Sequence, residues 1–180
     1  MLVACEFSGI VRNAFMRRGH EAWSCDLLPS EDGSLFHIQD DVLRHLDEGW
    51  DRLIGFPPCT YLCRSGARWW PERQAEQLAA LAFVRALMAA PIPGIAIENP
   101  PGRIGTQIRP ADQYVQPWWF GHGEVKSTGL WLRNLPLLVP TRVVRGRTPR
   151  VHFVGPGPQR WRERSRTPRG FAEAMAQQWG

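Results

Sequence analysis

Two motifs in this chain place reactive side chains where the backbone must leave a strand. The stretch "LIGFPPCTYLC" (53–63) is an apolar run that meets two prolines and then Cys59. The stretch "GIAIENP" (94–100) is a second apolar run, and it ends in Glu98, Asn99 and a proline. Because proline lacks a backbone donor and fixes φ, each strand must end there. We therefore expect a thiol and a carboxylate at the carboxyl ends of two buried strands.

Other predicted strands also end in residues that can bind ligands. The run "LVACEF" is followed by the turn Ser8-Gly9 and the helical stretch "IVRNAFMRRGH", and "EAWSCD" ends on Asp26. The segment "DDVLRHLDEG" is typical of a short helix capped by Asp40 or Asp41. These residues, with Cys59 and Glu98, predict an active site at one edge of a sheet.

The order of these segments predicts the fold. Strands alternate with helices in units of about 25 to 30 residues, which favours βαβ crossovers and a mostly parallel sheet with helices on both faces. The most regular helical pattern is "PERQAEQLAALAFVRALM" (71–88), which has a proline in its first turn and apolar residues three and four apart. After residue 100 we expect one more strand, "STGLWL", and a final helix, "RGFAEAMAQQWG". The prediction is a single α/β domain spanning 1–180.

The charge of the chain favours a nucleic-acid partner. The formal net charge is +5, and Lys126 is the only lysine among 22 basic residues. Nine arginines fall between Arg142 and Arg169, within an Arg/Pro-rich segment at 140–169. The alternative is that abundant arginine reflects the base composition of the encoding genome. No apolar run approaches the roughly 18 residues of a membrane span, and we expect a cytoplasmic protein without a membrane partner.

The cysteines are expected to be thiols. Four are present, and none forms a C-x-x-C pair. A metal held by Cys59 and Cys63 would need two further ligands, and the five histidines form no matching cluster, so we expect no metal site. Cys63 could instead reach Cys59.

Together these motifs resemble the DNA cytosine-5 methyltransferase family. Phe7-Ser8-Gly9 is similar to the family's first cofactor motif, "PPC" (57–59) to its nucleophile loop and "ENP" (98–100) to its Glu-Asn-Val motif. "KSTGLWL" from Lys126 and "TPRGFAEAMAQQW" resemble its substrate-facing strand and its closing helix. The resemblance implies a Rossmann-like methyltransferase fold, and we expect no separate target-recognition domain within residues 1–180. Val11 stands where the family usually has a second glycine, and Pro100 replaces its valine.

The resemblance implies a reaction in which Cys59 bonds transiently to cytosine. C5 of cytosine is too weak a nucleophile to accept a methyl group unaided, and thiolate addition at C6 makes it enamine-like. Glu98 would grip the base and donate a proton if burial raises its pKa, and Lys126 would contact the base or a phosphate. We expect the loop position of Cys59, ahead of a helix, to lower the pKa of its thiol.

The resemblance also assigns residues to the cofactor and to the substrate. For S-adenosylmethionine it implies that Phe7 lies against adenine and that Ser8 and Gly9 lie near the methionine portion, with Pro57 beside them. Asp26 would bind the ribose hydroxyls. Either Asp41 or Asp40 would bind the adenine amino group. On the substrate side it implies Pro58, Asn99 (mainly as a brace for the loop), Thr128, and Arg109 as a substitute for missing arginines. "RWW" (68–70) or "PWWF" (117–120) would wedge or stack when a base is flipped.

Three functions remain open at this point. The first is methylation of DNA with little sequence selectivity. The second is C5 modification of a free cytosine nucleotide or of single-stranded DNA. The third is a silent nucleic-acid-binding subunit that retains the fold. A changed cofactor pocket could also admit a modified donor.

Overall fold

Seven strands form one mixed sheet in the computed structural model, which describes residues 1–149, 157 and 160–180. The strand order is β3-β2-β1-β4-β5-β7-β6. The first five strands are parallel, β7 is antiparallel to β5, and β6 is antiparallel to β7. The strands are β1 (Leu2–Ala4), β2 (Trp23–Asp26), β3 (His37–Gln39), β4 (Arg52–Gly55), β5 (Gly94–Asn99), β6 (Gln113–Val115) and β7 (Thr128–Arg133).

Helices cover both faces of this sheet. They are α1 (Ile10–Met16), α2 (Gln74–Ala89), α3 (Arg103–Gln107), α4 (Arg160–Ser165) and α5 (Arg169–Trp179). Three 3-10 helices accompany them at Val42–Arg44, Arg64–Glu72 and Pro117–Trp119. The predicted α/β fold, with a mostly parallel sheet between two helical layers, is confirmed. Within the described residues, every helix is too short or too polar to traverse a lipid bilayer.

The alternation of side chains along the strands builds two cores. Val3, Ile54 and Ala96 point to the face where α1 and α5 pack, against residues such as Phe15 and Met175. Their neighbours along the strands point to the opposite face of the sheet and include Leu2, Leu53, Ile95 and Ile97. On that face they pack against α2 and α3, through residues such as Leu81, Val84 and Ile104. Successive residues of a strand alternate between faces, so each short apolar run serves both cores.

Several predicted boundaries are wrong. α2 begins at Gln74, because residues up to Glu72 form a 3-10 helix that contains Pro71. The helix expected within "DDVLRHLDEG" is a single 3-10 turn. The strands β3 and β6 were not predicted, since three-residue strands are too short to show periodicity and depend on pairing with a neighbour. Part of the arginine-rich segment 140–169 lies outside the described residues.

The strand order reverses between β1 and β4, which are hydrogen-bonded neighbours. In open parallel sheets, ligands bind in the crevice at the carboxyl ends of the strands at such a point. The loops that follow β1 and β4 emerge at this edge and carry Gly9 and Cys59, and Glu98 lies at the carboxyl end of β5 itself.

Candidate active site

The loop after β4 turns back on itself at Cys59. Its carbonyl oxygen accepts hydrogen bonds from the N–H of Leu62 at 3.0 Å and of Cys63 at 2.9 Å. Pro57 is buried and Pro58 is exposed, so the two prolines lead the chain from the core to the surface. The single turn that follows brings the side chains of Cys59 and Cys63 together, since residues four apart face the same side of a helical turn.

A backbone clamp joins this turn to the loop after β5. The N–H of Arg64 donates to the carbonyl of Pro101 at 3.0 Å, and the N–H of Arg103 donates to the carbonyl of Leu62 at 2.8 Å. Between them, Cys63 and Gly102 form an isolated antiparallel bridge. A Cβ atom on Gly102 would clash with the carbonyl oxygen of Leu62 and lie 2.9 Å from Cα of Cys63. Only glycine permits this close approach of the two loops.

Asn99 fastens the same two loops from inside. Its side chain is 0% exposed, and its amide donates to the carbonyl oxygen of Pro57 at 2.7 Å. This bond supplies the bracing role expected from the sequence. Because Asn99 is fully buried, its side chain contacts the loop backbone and is not exposed to a substrate.

Glu98, Lys126 and Thr128 lie together beside this turn. Burial raises the pKa of the Glu98 carboxyl, while the charge of Lys126 and a hydrogen bond from the Thr128 hydroxyl oppose that shift. Lys126 is also close enough to act on the Cys59 thiol, and so is the Glu98 carboxylate. A thiol, a carboxyl group and an ammonium group therefore share one site.

The two thiols have opposite acidities. A hydrogen bond from Cys59 lowers the pKa of Cys63 to about 5, and the Ser65 hydroxyl, 3.0 Å from Cys63 Sγ, acts in the same direction. The N–H groups of Ser65 and Gly66 add to this effect. That same hydrogen bond, together with burial and the nearby Glu98, raises the pKa of Cys59. The expectation that the loop lowers the pKa of Cys59 is wrong, because Cys63 and not Cys59 stands at the N-cap position of the following 3-10 helix, where the N–H groups of Ser65 and Gly66 lower the pKa of Cys63.

The first loop, after β1, is built around Glu6 and Gly9. The buried Glu6 carboxylate accepts hydrogen bonds from the N–H of Val11 at 2.6 Å and of Arg12 at 3.2 Å, at the beginning of α1. Ser8 donates to the same carboxylate at 3.4 Å. Gly9 has φ 67 and caps α1, and a Cβ atom there would clash with the Arg12 guanidinium. The turn therefore requires glycine at this position, both for its positive φ and for the space that a Cβ atom would fill.

Arg12 is a site residue that sequence reasoning missed. It is 0% exposed, pairs with Asp32, and donates to Ser24 Oγ at 2.9 Å. The pair lies directly against Gly9. No sequence signal marks it, since an arginine in an amphipathic helix normally faces solvent.

Phe7 lies beneath the helix α4. Its ring is 6% exposed, and the Arg162 guanidinium lies over it at 5.7 Å from the centroid. An adenine ring could stack on that face only if Arg162 moved.

The helix α4 also touches the other side of the site. The Lys126 ammonium donates to the carbonyl of Arg164 at 3.4 Å. Just beyond α4, Arg166 makes a two-pronged ion pair with Glu31, at 2.6 Å and 3.2 Å. These contacts hold α4 across the edge of the sheet, between the loops after β1 and β2 and the segment before β7.

The two predicted cofactor carboxylates differ in their surroundings. Asp26 ends β2 and is partly exposed; burial raises the pKa of its carboxyl, and a hydrogen bond from the N–H of Leu28 at 2.9 Å opposes that shift. Asp41 caps the 3-10 helix by accepting from the N–H of Leu43 at 3.0 Å. Asp40 is engaged by Arg44 and His45. Capping is thus the visible role of Asp41.

Arg109 is not brought to this edge. It pairs with Asp112 at 2.8 Å and donates to the carbonyl of Leu132 at 3.0 Å. Leu132 lies about 13 Å along β7 from Thr128, at 3.2–3.4 Å per residue. Among the described residues, no group of three or more Cys, His, Asp or Glu side chains is placed to hold a metal ion.

Comparisons with known proteins bear on the fold alone. The chain matches no protein-family profile, and no curated protein matches it. Its structure is similar to the crystal structure of a candidate DNA modification methyltransferase encoded within an E. coli prophage, with 16% sequence identity and a TM-score of 0.48. The matched region covers 80% of this chain and 52% of the other, so the chain spans about half the length of that protein.

Proposed function

We propose that this protein transfers a methyl group from S-adenosylmethionine to C5 of cytosine in DNA, through a transient bond between Cys59 and C6 of the base. The observation that carries the proposal is that Cys59, Glu98 and Lys126 act on one another at the carboxyl edge of the sheet, where Gly102 and Asn99 hold the loop that carries Cys59 against the end of β5. A nucleophile and a proton donor must reach the same ring, and this arrangement provides both.

The attack on C6 begins with the removal of the Cys59 proton. Once the pair has lost its first proton, Cys59 and Cys63 hold one proton between their sulfurs, and this proton moves to Cys63 Sγ as the Cys59 sulfur attacks. The Cys59 sulfur then forms a bond to C6, and the electron pair of the C5–C6 double bond moves into the ring. A thiol with a raised pKa is a stronger nucleophile once it is deprotonated, so a neighbouring base matters more here than a low intrinsic pKa.

Glu98 stabilises the charge that this addition creates. Its raised pKa favours the protonated carboxyl, which can donate to the ring nitrogen N3 as negative charge develops. Thr128 lies beside the carboxyl, and the Lys126 ammonium adds a positive charge there. After C5 has been methylated, loss of the C5 proton expels the Cys59 thiolate and restores the double bond.

The residues after β1 and β2 fit the methyl donor in part. The partly exposed Asp26 carboxylate can accept two hydrogen bonds from a ribose diol, as acids at this position do in dinucleotide folds. Ser8 and Gly9 lie at the start of α1 on the same edge of the sheet, and the buried Pro57 follows β4 there. When bound, S-adenosylmethionine would supply an electrophilic methyl carbon.

DNA is favoured over a free nucleotide by the charge of the protein. The net charge of +5 suits a polyanion, and phosphate contacts dominate affinity for nucleic acids. Flipping the target base from a duplex costs a few kcal/mol, which backbone contacts can offset.

The test uses tritiated S-adenosylmethionine with duplex DNA, single-stranded DNA and dCMP in separate reactions. We expect label in DNA, and Cys59→Ala should abolish it while leaving cofactor binding nearly unchanged. A 5-fluorocytosine oligonucleotide should become covalently attached at Cys59 and not at Cys63. Label in dCMP alone would replace DNA with the nucleotide as substrate. Absence of label in all three would overturn the proposal in favour of a silent binding subunit.

A further inference from the structure

A cavity of about 410 Å³ lies beside the candidate active site, at the junction of the 3-10 helix Arg64–Glu72, the beginning of α2 and the beginning of α3. Its walls include Trp70, Gln74, Gln77, Leu78 and Arg103. None of the proposed catalytic steps uses these residues.

Two planar side chains form one wall of the cavity. The Arg103 guanidinium stacks over the Trp70 ring at 4.2 Å from its centroid. Both Trp70 Nε1 and Arg103 Nε are buried and have no hydrogen-bond acceptor. Buried donors are normally paired, so these two unmatched N–H groups distinguish the stack from an ordinary packing contact.

The surface that leads to the cavity is basic and aromatic. Arg64 and Arg68 are exposed on the segment 64–73, and the exposed Arg73 pairs with Glu76 at 3.1 Å. Trp69 is 50% exposed, and the Arg68 guanidinium lies 4.8 Å from its ring centroid. Arginines interleaved with accessible tryptophan are typical of surfaces that bind single-stranded or unstacked nucleic acid, because the charges meet phosphates and the rings meet bases.

The two loops of the candidate site continue directly into this surface. Arg64 and Arg103 are the residues whose backbone N–H groups clamp the Cys59 turn to the loop after Glu98. Trp70 lies about 14 Å along the 3-10 helix from Cys63, at about 2.0 Å per residue. One strand of a nucleic acid advances about 3.4 Å per nucleotide, so this distance corresponds to about four nucleotides.

From these observations we infer that the segment 64–73 and Arg103 form a nucleic-acid contact surface, and that the Trp70–Arg103 cavity takes an unstacked base within about four nucleotides of the target cytosine. The inference rests on the proposed function, since it names the part of the chain that would hold the strand beside Cys59. The planar side chains provide a flat surface on which a base can stack, and the exposed Gln74 amide can donate to a carbonyl or ring-nitrogen acceptor of that base.

The first experiment measures equilibrium binding of a labelled single-stranded oligonucleotide and of a duplex, without methyl donor. Arg103→Lys keeps the charge and removes the planar stack, and Trp70→Phe removes Nε1. Each should weaken binding of the single strand by at least about five-fold, because base stacking on a side chain has a large effect on affinity. Arg18→Lys, on the exposed end of the first helical segment, is the matched control and should bind like the wild type.

The second experiment locates the base. Oligonucleotides carry 2-aminopurine at one position at a time on either side of the target cytosine, and its fluorescence reports unstacking and contact with tryptophan. We expect a change at one position within about four nucleotides, lost in Trp70→Phe. Arg103→Lys binding as tightly as Arg18→Lys, or a fluorescence change that survives Trp70→Phe, would overturn the inference.

The two proposals can fail separately. If DNA is methylated but Arg103→Lys and Trp70→Phe bind it like the wild type, this surface is wrong and the reaction stands. If these variants lose binding while no methyl group is transferred to any substrate, the surface stands and the reaction is wrong.

Discussion

The side-chain amide of Asn99 donates a hydrogen bond to the carbonyl oxygen of Pro57 at 2.7 Å, and so fastens the end of β5 to the loop that carries Cys59. Because Asn99 is fully buried, this bond has no competition from water. The relative position of Cys59 and Glu98 therefore depends on an interaction outside the reacting groups.

Replacement of Asn99 by aspartate should destabilise the protein. The substitution removes the donor and places a carboxylate against a carbonyl oxygen, which we expect to cost at least about 2 kcal/mol in the free energy of unfolding. Asn134 provides a matched control, since its amide also donates to a proline carbonyl, that of Pro93 at 2.9 Å, but in an exposed place. Chemical denaturation should show a loss of only about 0.5 kcal/mol for Asn134→Asp. Equal losses would show that the Asn99 bond has no special weight.

Substitution of Gly102 by alanine should force the two loops apart. Its Cβ atom would clash with the Leu62 carbonyl, and overpacking of this kind costs about 1–3 kcal/mol. Gly66→Ala, in the neighbouring 3-10 helix, meets only an ordinary contact of 3.4 Å with the Thr60 carbonyl and should leave stability nearly unchanged. Thermal unfolding and methyl transfer, measured on both variants, check the prediction. Retention of wild-type transfer by Gly102→Ala would mean that the clamp does not position the thiol.

The Cys63 thiol should ionise at a much lower pH than the other thiols. Its pKa of about 5 predicts one thiolate at neutral pH, detectable by its ultraviolet absorbance during a pH titration. Cys63→Ser should abolish that signal, whereas Cys25→Ser should not change it, because burial raises the pKa of Cys25 to about 11. In the transfer reaction, Cys63→Ser should shift the pH profile to higher pH, since Cys59 then has no thiolate neighbour to accept its proton. An unshifted profile would remove Cys63 from the reaction.

The pH dependence should also report Glu98. Burial raises the pKa of this carboxyl above its ordinary value of 4.5, so the folded state favours the protonated form. Its contribution to stability is therefore present below pH 4.5 and is lost as pH rises through the raised value. Transfer should fall over the same range, because the proton donor is lost. Glu98→Gln should lower turnover by about 100-fold or more and remove this limb of the pH profile. If the fall in transfer at higher pH persists in Glu98→Gln, it reports the titration of another group and the prediction is wrong.

The placement of Cys59 and Glu98 at strand ends was predictable because its cause is local. An apolar run followed by proline must end a strand wherever it occurs, and parallel strands bring their carboxyl ends to one edge. The alternation of strands and helices predicted the layers for the same reason. Asp40 and Asp41 were both predicted as caps, and the structure selects Asp41.

Other features could not be derived from local pattern. The strands β3 and β6 have three residues each and form only because a neighbouring strand supplies partners. Arg12 is buried because Asp32 and Ser24 come from the segment around β2, which no periodicity within α1 reveals. Arg109 was predicted beside the substrate, yet Asp112 and Leu132 hold it farther along β7.

What the sequence by itself determined is which residues stand at the ends of strands, and hence that a thiol and a carboxylate share one edge of an α/β sheet. Only the tertiary structure decided the pKa values of those groups and the shape of the surface beside them. The burial of Glu98 and the stacking of Arg103 on Trp70 both arise where distant segments pack together, and the effect of Glu98 and Lys126 on Cys59 has the same origin. The position at which a strand ends depends on residues adjacent in the sequence. The acidity of a side chain and the shape of a cavity depend on residues that folding brings into contact.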